Sequence, residues 1–161
     1  MMDDIERLVI EQACRRLVLD FARYNDDLDH ARLADLFVDD CIFARPLDPQ
    51  YPYHGRAAVH AIFRDRAPRL TRHVMTNIRI QVDSHDRAHG NSYVTMISSP
   101  NADRSAPREG EGIFFGAFDD VFVRTTAGWK FKERHGSVAL YQGGPLPILP
   151  VPTDAQRGIG A

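Results

Sequence analysis

The stretch Phe114–Val123, FFGAFDDVFV, decides the fold. Read with a period of two, it puts Phe114, Phe118 and Phe122 on one face and Phe115, Ala117, Val121 and Val123 on the other. A strand that is apolar on both sides needs a cover on each. Working outward, Arg72–Val82, Arg87–Ser99 and Trp129–Leu140 alternate in the same way, and Glu111–Thr125 encloses the first stretch. Asp83–Asp86 and Ala127–Gly128 are short enough for hairpin turns, whereas 100–110 is a polar loop fit to border a cavity. The pattern predicts a four-stranded antiparallel meander over the C-terminal half.

The N-terminal half has a helical period instead. Asp3 with Glu6 forms a capping-box pattern, and Ile5, Leu8, Val9, Leu17, Val18 and Phe21 recur at helical spacing, predicting a helix over 4–25. The polar run Asn25-Asp26-Asp27 interrupts it, and Asp29 is placed to cap a second short helix that buries Leu33, Leu36 and Phe37. Cys41–Ala44 reads as a strand and Pro46–Gly55 as an irregular loop. Ala58, Val59, Ile62 and Phe63 mark a third helix that Pro68 should stop. Helices followed by long strands predict one α+β domain over residues 1–140, its helices covering one face of a curved antiparallel sheet that closes into a cone. The tail, 141–161, with prolines at 145, 147, 150 and 152, is expected to lie on a surface as extended chain. The outward apolar face of Phe114–Val123 would then need a second copy, which predicts a homo-oligomer.

Composition excludes several classes. Twenty Lys and Arg against 22 Asp and Glu leave no basic excess for nucleic acid. No apolar run is long enough to span a bilayer, and the acidic start Met1-Met2-Asp3-Asp4 is unlike a signal peptide, so the expectation is a cytoplasmic protein with no membrane partner. Cys14 and Cys41 lack metal or redox spacing and read as buried, reduced thiols. No zinc-protease, dinucleotide, phosphate-loop or nucleophile-elbow motif is present, so no metal or cofactor is expected.

The chemistry-bearing candidates are few. Asp26 borders the apolar stripe of the first helix, and His73 shares a strand face with Met75. A carboxylate partly removed from water beside an imidazole holds that ring in one tautomer, and such a pair can take a proton from carbon and return it to a departing hydroxyl. Each residue also has a plain structural reading, as a helix cap and as a core histidine. Asn77 and Tyr93, on neighbouring strands, and His135, on the face of Trp129, Phe131 and Glu133, are further candidates for contact with a substrate, with His135 placed to look either into the cavity or out at a partner subunit. Asp120 and Arg124 share a strand face as a candidate ion pair.

Three segments carry a resemblance that spans about residues 4–140: Phe21-Ala-Arg-Tyr-Asn-Asp26-Asp-Leu-Asp29 leading to Leu33–Phe37; Thr71-Arg-His73-Val-Met-Thr-Asn77; and Gly116–Arg124 with Gly128–Phe131. The chain resembles the SnoaL-like branch of the nuclear-transport-factor-two-like superfamily, with its scytalone dehydratase, hexachlorocyclohexane dehydrochlorinase, bile-acid dehydratase and dioxygenase small-subunit members. The resemblance implies a cystatin-like α+β barrel, dimers or trimers, and a cofactor-independent Asp–His dyad at Asp26 and His73. Tyr24 lies one residue from a tyrosine that the dehydratases use to hold substrate. Where scytalone dehydratase has a further histidine this chain has Asn91-Ser92-Tyr93, and Phe21 stands where the dehydrochlorinase has lysine, so neither substrate carries over. The expected function is a dehydratase-like lyase or isomerase acting on a small hydrophobic, cyclic or aromatic molecule. A non-catalytic subunit, a polyketide cyclase and an epoxide hydrolase stay open as alternatives.

Overall fold

Helix α1 (Asp4–Asp26) starts where its capping box allows: Asp3 Oδ1 accepts the Glu6 N–H at 2.7 Å, and Glu6 Oε2 accepts the Asp3 N–H at 3.0 Å. Its far end is a Schellman turn. The Asp29 N–H reaches the Tyr24 carbonyl at 2.9 Å, the Leu28 N–H reaches that of Asn25 at 3.3 Å, and Leu28 takes the left-handed φ of 59° that glycine usually supplies. This sharp stop leaves Asn25 and Asp26 in the last turn, both buried. Asp29 then caps α2 (His30–Asp35) by accepting the Arg32 N–H at 3.1 Å.

After α2 come β1 (Phe37–Ala44), β2 (Tyr53–His54), α3 (Arg56–Arg64), β3 (Leu70–Val82), β4 (Arg87–Ser99), β5 (Ile113–Thr125) and β6 (Gly128–Gln142). The computed structural model describes residues 2–144 and 146–160; Met1, Ala161 and the tail's Pro145 lie outside the described residues. The meander β3-β4-β5-β6 is antiparallel as expected, and the sheet order is β2-β1-β6-β5-β4-β3. Two features were not legible. Strand β1 starts at Phe37, which the helical spacing assigned to α2, and it pairs in parallel with β6; β2 interrupts the expected loop. The six-stranded sheet is curved but not closed, because β2 and β3 remain as edges and helices complete the enclosure. Helix α3 ends at Arg64, ahead of Pro68.

Phe21 organises the core, its ring 5.8–6.2 Å from those of Phe37, Phe43, Phe63, Phe118 and Phe131. Arg134 is fully buried among them, 3.8 Å over Phe118 and 4.4 Å over Phe21, and it pairs with Asp120 at 2.6 Å. Asp120 thus pairs with Arg134 and not with Arg124, which is exposed. A bulge is the reason. Register passes from Phe122–Phe131 to Val121–Glu133, so Lys132 is unpaired and both Phe131 and Arg134 point inward. Cys14 and Cys41 are free and buried, and burial pushes their thiols up to about 12 and about 11. Among the described residues no helix is long and apolar enough to cross a membrane.

Candidate active site

Strand β3 turns Thr71, His73 and Met75 toward α1, and the buried last turn of α1 faces them with Asn25 and Asp26. Asp26 accepts three hydrogen bonds. They come from the Thr71 hydroxyl to Oδ1 at 2.8 Å, from the His73 backbone N–H to Oδ2 at 3.0 Å, and from His73 Nδ1 to Oδ1 at 2.6 Å. Burial by itself would raise the Asp26 carboxyl, but the hydrogen bonds and charge of His73, with the Thr71 hydroxyl, outweigh it and hold the carboxyl below its ordinary value.

The tautomer of His73 follows from its partners. Arg66 Nη2 donates to Asn25, which makes that atom the amide oxygen and turns the Asn25 NH2 toward His73 Nε2, 3.4 Å away. Nε2 is therefore the acceptor, and the ring proton sits on Nδ1 toward Asp26. The imidazole lines a cavity of about 310 Å³ whose apolar wall includes Phe21, Phe63, Val94, Met96, Phe114 and Phe118. An unprotonated nitrogen facing an apolar chamber can accept a proton from a bound molecule.

The other candidates lie elsewhere. Tyr24 is half-buried against the core with Arg32 5.9 Å over its ring, outside the cavity lining. Tyr93 is on the outer face of the sheet, 56% exposed, between Thr76 and Ala117. Asn77 sits in a bulge, where Asn77 and Ile78 together face Ser92; its φ of 50° turns it away, and Ile78 takes the inward position. The Lys132 bulge likewise puts His135 on the outer face, where Nε2 meets Glu133 at 3.0 Å beside a polar groove of about 470 Å³. None of these four lines the chamber that holds His73.

Several residues of the site were passed over in the sequence. Thr71, two positions before His73 on the same strand face, was within reach of the alternation rule. Arg45, Arg66 and Arg69 also line the cavity, and no period marks them because they flank loops. The tail does more than cross a surface: Leu149 reaches the cavity, and the Arg157 carbonyl accepts the His54 N–H at 2.7 Å.

The SnoaL-like domain family matches residues 6–135. The chain belongs to that family. A crystal structure of a putative scytalone dehydratase from Novosphingobium aromaticivorans superposes with a TM-score of 0.75 at 26% identity, over 90% of this chain and 94% of its own. A hexachlorocyclohexane dehydrochlorinase gives 0.72 at 19% identity, over 93% and 99%. An NTF2-like protein with a cystatin-like fold, also from Novosphingobium aromaticivorans, gives 0.65 at 20% identity, over 86% and 92%. The latter two show the shared fold alone. No curated protein matches the chain.

Proposed function

We propose that this SnoaL-like protein is a cytoplasmic, cofactor-independent acid/base lyase or isomerase that acts on a small, largely apolar cyclic or aromatic molecule as a homo-oligomer. One observation carries the reading: the His73 imidazole lines an open chamber with an apolar wall, its Nε2 3.4 Å from the Asn25 amide, while a buried carboxylate holds Nδ1. In the proposed reaction His73 Nε2 takes a proton from a carbon acidified by a neighbouring electron-withdrawing group. The electron pair of that C–H bond becomes a C=C bond, and a hydroxyl leaves from the adjacent carbon with the proton returned by Nε2, as water. Asp26 balances the transient imidazolium and keeps its orientation. The similarity to a putative scytalone dehydratase supports this class of reaction. A purely scaffolding role would want a filled interior, and the chamber here is open.

The test is His73→Ala, which removes the base without emptying the aromatic core. Aromatic and alicyclic β-hydroxy carbonyl compounds are followed by the absorbance of the conjugated product and by deuterium uptake from D2O. Activity should fall about 10²–10⁴-fold with the thermal unfolding midpoint little changed. Turnover that survives the substitution would sink the lyase reading.

A further inference from the structure

Three guanidinium groups, of Arg45, Arg66 and Arg69, line the same chamber as His73, and no Asp or Glu is among its described lining residues. They are not equivalent. Arg45 is committed to Asp48, with Nε at 2.8 Å from Oδ1 and a second contact beside it. Arg69 donates to Ser98 Oγ at 3.0 Å and stands 3.8 Å from the exposed Glu111. Arg66 has no carboxylate within ion-pair distance among the described residues. Its polar contact is Asn25, and its guanidinium rests 4.9 Å over the Phe63 ring.

A guanidinium has five donors in a planar fork, and Arg66 commits one of them to Asn25. Arg66 is an exposed residue, yet loss of water around its guanidinium against the chamber wall, then the like charges of Arg45 and Arg69, push it down to about 10, so the cluster repels itself. The negative charge that faces it, Asp26, is already taken by Thr71 and His73. Asn25 also fixes the distance to the base, because its one amide group touches Arg66 with the oxygen and lies 3.4 Å from His73 Nε2 with the nitrogen. Arg66 and the reacting nitrogen are thus linked through one amide, and both residues line the chamber whose wall includes Phe63 and Phe114.

We propose that the ligand of this chamber is an organic acid, its carboxylate held by Arg66 and Arg69 and its ring against the phenylalanine wall. A carboxylate matches the planar fork of a guanidinium and relieves the repulsion among the arginines. The proposal rests on the lyase reading for the use made of the bound acid, but its test does not need turnover.

The full chain is titrated by protein-observed NMR with benzoate, trans-cinnamate and cyclohexanecarboxylate, and with the amide of each as an uncharged isostere. In at least one pair the acid should bind about ten-fold or more tightly than its amide, as a charge-assisted contact gives, and should weaken with added salt. Arg66→Met should abolish the preference and Arg66→Lys keep part of it; both arginines stand at exposed positions, and Arg69→Met is the second variant should the first not fold. Equal affinities within every pair, no binding of any acid, or a preference that survives both methionine variants overturns the proposal. His73→Ala separates the two readings. An acid preference retained where turnover never depended on His73 sinks the lyase reading alone, and turnover that depends on His73 without an acid preference sinks this one alone.

Discussion

Asp26 and Asp120 are both buried carboxylates, yet they are moved in opposite directions. Burial raises Asp120 to about 6 despite Arg134, whereas the His73 and Thr71 contacts more than offset burial at Asp26 and lower it. The signs differ accordingly. Native Asp120 keeps its proton between the ordinary 3.8 and about 6, so its contribution to stability falls as pH rises through that window. Native Asp26 releases its proton early, so its contribution is complete above the ordinary carboxylate range and is lost as pH falls through the lowered value. Asp26→Asn should therefore remove part of the acid sensitivity of the urea midpoint: acidification below about pH 4 should cost wild type more than the variant. The His73 backbone N–H still needs an acceptor, so the variant's amide oxygen takes the Oδ2 place and its NH2 faces Nδ1 and the Thr71 hydroxyl, which favours the tautomer with its proton on Nε2. Turnover should then drop by about 10²–10⁴-fold, with a smaller change in KM than in kcat. A variant with wild-type turnover would show that Asp26 serves structure alone.

At the scale of elements, the bulges decide which side chains meet. Alternation placed His73 and the inward phenylalanines of β5 correctly because those runs contain no bulge between the residues compared. It failed for Asn77 and His135 because one extra residue in β3, and Lys132 in β6, each reverse the faces downstream, and nothing in the local composition announces an unpaired residue. The starts of α1 and α2 were legible from caps, as Asp3, Glu6 and Asp29 show. The parallel pairing of β1 with β6 was not, because it is a contact between distant parts of the chain with no periodicity of its own. Where β6 passes under the loop after β1, close approach has a sequence requirement: a Cβ at Gly136 would lie 2.6 Å from the Pro46 ring and backbone nitrogen. Gly136→Ala should thus push away the segment that bears Arg45, lowering stability by about 1–3 kcal/mol in urea unfolding. Unchanged stability would mean that this segment shifts freely.

For the whole molecule, the outer face of the sheet is the unfinished surface. Val74, Thr95, Phe115 and Leu140 are cross-strand neighbours in one row over β3, β4, β5 and β6, with Tyr93 and Ile97 beside it; Leu140 is 68% exposed and Val74 56%. The same face becomes polar further along, at Arg79, Asn91, Asp119 and His135. An apolar half and a charged half on one face of the sheet suit self-association, since the first removes area from water and the second fixes the register of the copies. Light scattering on the full chain should give the mass of a dimer or trimer. Phe115→Glu, in the middle of the row, should shift it toward monomer without changing the far-ultraviolet dichroism, because Phe115 faces away from the chamber and the aromatic core. A monomeric wild type, or an oligomer indifferent to a charge at position 115, would mean that this face meets water or a different partner. If the dissociated variant still binds acids, the chamber is complete within one chain, as the placement of Asp26, His73 and Arg66 on α1, β3 and the segment after α3 requires.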